Sequence, residues 1–254
     1  MILNIAAYHF VDIQDVPETA AWIRSLCEAH DLLGTVLVAP EGVNMFLAGV
    51  QKDVDAYLAA VDADVRFKGL VAKRSWSETV PFQRLKVKQK REIISFAGRP
   101  AGTGEARSAA VLPETLARWF AQGHDDEGRE VVMLDTRNQQ EIAFGTFADA
   151  VTLPIDKFND FPDAVESVRD RLEGRRIVSF CTGGVRCEKA APFLESAGFE
   201  NVTQLEGGIL RYFEDVGGTG YTGGCFVFDE RVALDPALKP MEGVKFASSK
   251  DGPA

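Results

Sequence analysis

Cys181 opens a run in which almost every residue has a chemical use: Cys181-Thr182-Gly183-Gly184-Val185-Arg186-Cys187. A thiol attacks as its thiolate, and nearby positive charge and amide donors favour that form. Gly183 and Gly184 leave the backbone free to turn its N–H groups toward one point, which makes a nest for an anion. The Arg186 guanidinium adds a full positive charge, and a helix starting near Cys187 adds the positive end of its dipole. The spacing predicts a nucleophilic Cys181 of depressed pKa in an anion-binding loop made by Thr182, Gly183, Gly184, Val185 and Arg186. Cys187 has two expected uses: closing a disulfide on an oxidised Cys181, or packing inward from the first helical turn.

Such a loop needs a strand ending at the cysteine and a helix starting after the arginine. Residues 176–180 read as a buried strand and 187–197 as the helix, which Pro192 should kink or shorten. Ligands of open α/β sheets bind at these carboxyl ends of strands. Residues 113–122, 160–172 and 208–213 read as further helices, and 131–134, 150–153 and 202–205 as further apolar strands. This alternation predicts a parallel sheet covered on both faces over residues 110–217. Asp135 ends one strand and is expected to support the loop by holding backbone or Arg137.

Residues 1–97 read as strand (3–10), helix (17–30), a hairpin around Pro40-Glu41-Gly42, a second helix (53–61) and strands at 66–70 and 85–96. The order β-α-β-β-α-β is ferredoxin-like. The Gly- and Pro-rich stretch 98–109 reads as a linker. Residues 218–254 form a short C-terminal extension with one β-like run at 225–234, and its last ten residues are expected to fray. The fold class is therefore α/β, a ferredoxin-like α+β domain followed by a parallel α/β domain.

Among the 254 residues are four cysteines and three scattered histidines, with no paired metal-ligand spacing, so no metal site is expected. Gly98, Gly102 and Gly104 lack the strand–turn–helix context of a dinucleotide fingerprint, and no other cofactor motif is evident. No apolar run reaches membrane-spanning length, and the N-terminal residues lack a basic, apolar export signal. Few cysteines and no such signal predict a cytoplasmic protein with no membrane partner.

The pattern Cys-x-x-Gly-x-Arg between a strand and a helix resembles the active loop of the rhodanese domain. Leu134-Asp135-Thr136-Arg137, Glu141, Gly145 and residues 150–154 resemble its first conserved stretch, although Thr146 and Phe147 replace the usual His-Ile pair. Leu205-Glu206-Gly207-Gly208-Ile209 resembles the Gly-Gly before its last helix. Cysteine phosphatase loops fit less well. They place arginine six positions after the cysteine and histidine before it, where this chain has five and Phe180.

Nearly the full length is similar to the rhodanese-containing oxygen-dependent tRNA uridine hydroxylases, once catalogued as rhodanese-related sulfurtransferases. The matching stretches are residues 34–44, 85–88, 181–190 and 226–231. The resemblance implies 5-hydroxylation of uridine at the tRNA wobble position, molecular oxygen as co-substrate, tRNA as partner and an essential Cys181. Longer members continue into a cysteine-rich, metal-binding-like tail, and the residues here after the 226–231 stretch hold no cysteine, so no metal role is expected of them. Chemistry alone reaches only an activated thiolate, which serves a persulfide-carrying sulfurtransferase equally well. A non-enzymatic RNA-binding module is the least favoured alternative, because Cys181 and Arg186 are both present.

The net charge of −10, taken alone, argues against a nucleic-acid partner. Residues 66–99, however, hold ten basic and two acidic side chains, a local +8 against −18 elsewhere. In Arg84-Leu85-Lys86-Val87-Lys88 basic and apolar residues alternate. A strand would present Arg84, Lys86 and Lys88 on one face. With Lys90 and Arg91 these are the candidate tRNA contacts, and Trp76 and Phe82 are available to stack on bases.

Overall fold

The computed structural model describes residues 1–104 and 107–244; the expected frayed end, 245–254, lies outside the described residues. The first half comprises β1 (Ile2–Phe10), α1 (Val16–Ala29), β2 (Leu33–Ala39), β3 (Gly42–Val50), α2 (Gln51–Asp62), β4 (Ala72–Ser77) and β5 (Leu85–Gln89). Pro17 lies in the first turn of α1, where its missing N–H costs nothing. The sheet order is β4-β1-β3-β2-β5, with β1–β3, β1–β4 and β2–β3 antiparallel and β5 added parallel to β2. The first four strands have the ferredoxin-like order, and β5 is a fifth, edge strand.

Period-2 alternation gives this sheet two different faces. Leu3, Ile5, Val36, Val38, Met45 and Leu47 point to one side and bury against Ile23 and Cys27 of α1 and Val54 and Tyr57 of α2. Ala6, Tyr8, Thr35, Leu37, Asn44 and Phe46 point to the other side and line a cavity.

Two expected strands are corrected. Residues 66–70 form turns, with Phe67 buried in the core and Arg66 paired to Asp64 and Asp15. The strand there is β4, whose buried positions are Lys73, Ser75 and Ser77. Strand β5 ends at Gln89 rather than continuing to Phe96. Phe96 instead stacks on Phe158 at 4.4 Å between ring centroids and meets Phe193 edge-on, inside the core of the second half.

The second half comprises β6 (Ala110–Val111), α3 (Pro113–Gln122), β7 (Val131–Asp135), α4 (Gln139–Ile142), β8 (Gly145–Phe147), α5 (Phe161–Glu166), α6 (Arg169–Leu172), β9 (Arg176–Phe180), α7 (Cys187–Ser196), β10 (Val202–Leu205) and α8 (Gly208–Val216). After these come β11 (Tyr221–Gly223), β12 (Cys225–Phe226) and β13 (Ala233–Leu234). The sheet β6-β10-β9-β7 is wholly parallel. Leu134 and Ile177 face a core shared with α5, α6 and α7, while Met133 and Val178 face one shared with α3 and α8. Both faces are covered, which is why these strands read as unbroken apolar runs.

Residues 150–153 make only a single parallel bridge, Leu134 to Val151. The helix expected over 160–172 is two short helices behind a 3-10 turn, Phe158–Asp160. Ser167 Oγ donates to the Ala164 carbonyl at 2.6 Å, a local alternative to continuing the ladder. The C-terminal extension completes the second half: β11 pairs with β8, and Tyr221, Cys225 and Leu234 bury in its core.

Helix α7 runs through Pro192 to Ser196. Proline cannot donate to the carbonyl four residues back, which is that of Glu188. The amide of Gly102, in the linker, donates to that carbonyl at 2.8 Å instead. Among the described residues no helix is long and apolar enough to cross a membrane.

Candidate active site

Strand β9 delivers Cys181 to its carboxyl end, and the loop turns back so that Gly184 N–H donates to Cys181 Sγ at 3.1 Å. Gly184 has φ +98°, and a Cβ there would sit 2.9 Å from Tyr8 Oη. Glycine is required twice over, by the backbone angle and by the neighbour. The first amides of α8 also hold the loop: Ile209 N–H donates to the Cys181 carbonyl and Leu210 N–H to the Thr182 carbonyl, each at 3.0 Å. Gly208 permits this approach, since a Cβ at that position would lie 2.5 Å from the Cys181 carbonyl oxygen.

The Cys181 thiol is lowered to about 6. Burial alone would raise it. The Cys187 thiol, the Arg186 charge and the amides of Arg186 and Gly184 together outweigh that burial. Cys187 is fully buried at the start of α7 and moves the opposite way, well upward, through burial and the neighbouring Cys181. The pair thus divides into a thiolate and a thiol that donates to it.

Arg186 is held from behind by Glu141, with Nη2 2.8 Å from one carboxylate oxygen and 2.9 Å from the other. Glu141 is fixed by a capping box at the start of α4, in which the Asn138 side chain accepts from the Glu141 amide. Thr182 Oγ1 donates to the same carboxylate at 3.5 Å. Arg186 Nη1 is buried with no hydrogen-bond partner among the described residues. Asp135 and Arg137 form a fully buried ion pair at 2.7 Å, and Thr146 Oγ1 donates to Asp135. Burial works against the Arg137 charge, but Asp135 more than offsets it. Neither residue lines the cavity beside Cys181.

That cavity, about 270 Å³, lies between the loop and the outer face of the N-terminal sheet. Thr182, Gly183, Val185 and Arg186 line it from one side, and Tyr8, Leu37, Phe46 and Lys73 from the other. Tyr8 Oη donates to Glu188 at 2.9 Å, and Arg107 grips the same carboxylate at 2.7 Å. Lys189 is fully buried and pairs with Glu41 at 2.8 Å and Glu92 at 2.7 Å, both from the first half of the chain. Glu188 and Lys189, directly after Cys187, therefore bolt the start of α7 onto the N-terminal half.

A larger groove of about 820 Å³ adjoins the cavity, because Thr35 and Phe228 line both. Arg84 and Lys86 lie along this groove with Phe82. Leu85 and Val87 are half-buried, while Arg84, Lys86, Lys88, Lys90 and Arg91 are exposed. Lys88, Lys90 and Arg91 lie outside the groove lining, and Trp76 lines neither space. The +8 region is not one continuous face: Lys73 is buried, Arg66 pairs with Asp64, and Arg74 pairs with Asp55. The loop between β12 and β13 closes the lip of the cavity. Arg231 donates to Ser75 Oγ at 2.8 Å, Gln83 donates to Glu230 at 2.9 Å, and Phe228 meets Phe46 at 5.9 Å.

Sequence reasoning missed Tyr8, Lys73, Glu141 and Glu188 as parts of the site. Three of them are single polar residues inside strands or helices, and nothing local marks them. The signal for Glu141 was its capping-box spacing after Asn138.

Residues 2–93 match the UPF0176 acylphosphatase like domain, and residues 116–215 match the Rhodanese-like domain. A curated relative from Xanthomonas euvesicatoria pv. vesicatoria (strain 85-10), named tRNA uridine(34) hydroxylase, is 56% identical over 95% of this chain and 97% of its own. Relatives of the same name from Bordetella avium (strain 197N) and Cupriavidus necator (strain ATCC 17699 / DSM 428 / KCTC 22496 / NCIMB 10442 / H16 / Stanier 337) are 55% and 53% identical. Each covers 94% of this chain, matched over 99% and 85% of their own lengths. With an acylphosphatase-like sheet roofing a rhodanese loop, and this identity over nearly its whole length, the chain belongs to the tRNA uridine(34) hydroxylase family.

Proposed function

We propose that the protein hydroxylates uridine 34 of tRNA at C5, with molecular oxygen as co-substrate and Cys181 as the essential nucleophile. The observation that carries this reading is where Cys181 faces. Cys181, its thiol of depressed pKa, lines a roofed, largely apolar cavity beside a groove lined by Arg84 and Lys86. The cavity is at the small end of ligand pockets, which suits one base taken out of its stack. Bases of single-stranded RNA loops can be splayed out in this way. Arg84 and Lys86 would meet phosphates beside the cavity, and Lys88, Lys90 and Arg91 would extend the track along the edge strand. In this reading residues 1–93 form the RNA-docking domain, the stretch from there to 109, whose Phe96 seats in the second half, the linker, 110–217 the catalytic domain and 218–254 the extension that carries the lip.

Placing one oxygen atom into the C5–H bond and releasing the other as water takes two electrons and two protons. The Cys181–Cys187 pair can supply both electrons and one proton by passing from a thiolate and a thiol to one disulfide, with the second proton taken from water, which gives Cys187 the resolving role. Arg186 acts on the thiolate by its charge, while Asp135 and Arg137 hold the strand end behind it.

The unpartnered Arg186 Nη1 and the Gly184 amide on Cys181 Sγ also favour a second reading, a sulfurtransferase that carries a Cys181 persulfide. Nucleoside mass spectrometry of tRNA separates the two. The test uses a deletion strain, with redundant routes removed, complemented by wild type or Cys181→Ser. The expected result is hydroxyuridine with wild type and none with the variant. Unchanged hydroxyuridine in the uncomplemented strain, together with cyanide-dependent sulfur transfer from thiosulfate by the purified protein, would overturn the hydroxylase reading.

A further inference from the structure

Lys73 is the one buried cation in this region without a carboxylate within salt-bridge distance, among the described residues. It stands on β4 and lines the same cavity as Cys181, from the opposite wall. Its ammonium lies 4.4 Å from the centre of the Tyr8 ring, which solvates it in part. A buried unpaired charge is costly, and lysine usually escapes by keeping its head in water. Here the side chain stays buried, and Lys73 lines both the space beside Cys181, large enough for a base, and the pocket that holds Glu188 and Glu206. Burial lowers its pKa to about 8, opposed by the field of Cys181 and, more weakly, Glu206 and Glu188, so it remains mostly cationic at neutral pH.

We propose that Lys73 is a catalytic residue that stabilises an enolate of the target uracil, formed when Cys181 adds to C6 of the ring. The inference rests on the hydroxylase reading above. In the addition the Cys181 Sγ–C6 bond forms. The C5=C6 π pair moves into the C5–C4–O4 enolate, nothing leaves, and the Lys73 ammonium hydrogen-bonds to O4. A thiolate from one wall and a cation from the other suit this charge movement, in which negative charge travels from sulfur to the carbonyl oxygen. Uracil alone has an unreactive C5; the enolate makes C5 the nucleophilic carbon. Reversal of the addition returns uridine. If C5 first takes a proton from water and then gives up its original hydrogen, reversal returns uridine with C5–H exchanged.

The experiment is C5–H exchange in D2O without oxygen, on a tRNA transcript bearing uridine 34, read as a one-mass-unit gain at that nucleoside. Hydroxylation by the same enzyme is measured in parallel in air. The wild type should exchange and Cys181→Ser should not. Lys73→Met should slow exchange on the order of a hundredfold, with tRNA affinity unchanged. Lys73→Arg, which keeps the charge, should recover part of it. The methionine variant has similar volume and no charge to bury, so it should remain folded, which its thermal transition checks. Hydroxylation by the wild type without any exchange would overturn the covalent step and leave the hydroxylase reading standing. Exchange by Lys73→Met at the wild-type rate would remove Lys73 from the chemistry. Neither hydroxylation nor exchange by the wild type would overturn both readings.

Discussion

Alkylation of Cys181 against pH tests the electrostatics of the loop without needing the substrate. With the pKa lowered from 9.0 to about 6, the thiolate fraction at pH 7 rises from about one-hundredth to about nine-tenths, a factor of about ninety. Intrinsic nucleophilicity falls as basicity falls. With a Brønsted slope near 0.45, three units cost about twentyfold, so the net gain in rate at pH 7 is only about fourfold to fivefold. The midpoint of the profile is therefore the diagnostic quantity, and the absolute rate is not. Iodoacetamide is small enough for the cavity, and peptide mass spectrometry reads Cys181 separately from the three other buried thiols. The expected rate climbs through a midpoint near pH 6 and is level above about pH 7. Thiolate is the reactive form, so reactivity is lost as pH falls through the folded pKa. Cys187→Ala deletes the thiol that donates to Cys181 and should move the midpoint up by about one unit. A wild-type midpoint left near the unperturbed 9.0 would refute the reasoning, as would a Cys187→Ala profile that overlays the wild-type one.

Two further outcomes follow from the geometry. Arg84→Gln with Lys86→Gln should weaken tRNA binding and flatten the slope of log affinity against log salt by about 1.5 to 2, whereas Lys90→Gln with Arg91→Gln should change it less. Equal slopes for the two pairs in filter-binding titrations would remove the groove as the phosphate path. Gly208→Ala forces a Cβ to within 2.5 Å of the Cys181 carbonyl oxygen at φ +67°. It should cost about 2 kcal/mol or more in denaturant unfolding and raise the alkylation midpoint, and a variant as stable as wild type would contradict the close approach.

The catalytic loop was legible because its chemistry is local: one strand, one turn and one helix carry Cys181, Gly184 and Arg186. Strand β9, β10 and α3 were equally plain, since each is buried against its own half of the chain. Strand β4 was not. Its inward residues are Lys73, Ser75 and Ser77, polar because they face the other half of the molecule and its cavity, so the usual apolar alternation is missing. The apolar residues of 66–70 mimicked a strand instead, although Phe67 reaches the core from a turn. Phe96 was assigned to the wrong half because its partners, Phe158 and Phe193, are far away in sequence. The same physics hid Tyr8 and Lys73 from the candidate site. A pattern read along the chain reports burial, and it does not report which distant surface does the burying.

Proline at position 192 belongs to a helix, yet what it controls is elsewhere. By withholding one amide hydrogen it leaves the Glu188 carbonyl open, and Gly102 occupies it. The side chain of that same Glu188 receives Tyr8 and Arg107. One residue beyond the second thiol is thus held at its backbone by the tether between the two halves and at its carboxylate by the opposite sheet. Replacing Pro192 with a better helix former would give that carbonyl a helical donor in competition with the tether. The tether could then slip in register without either half unfolding. A substitution that any helix scale scores as an improvement would act here as a loosened hinge.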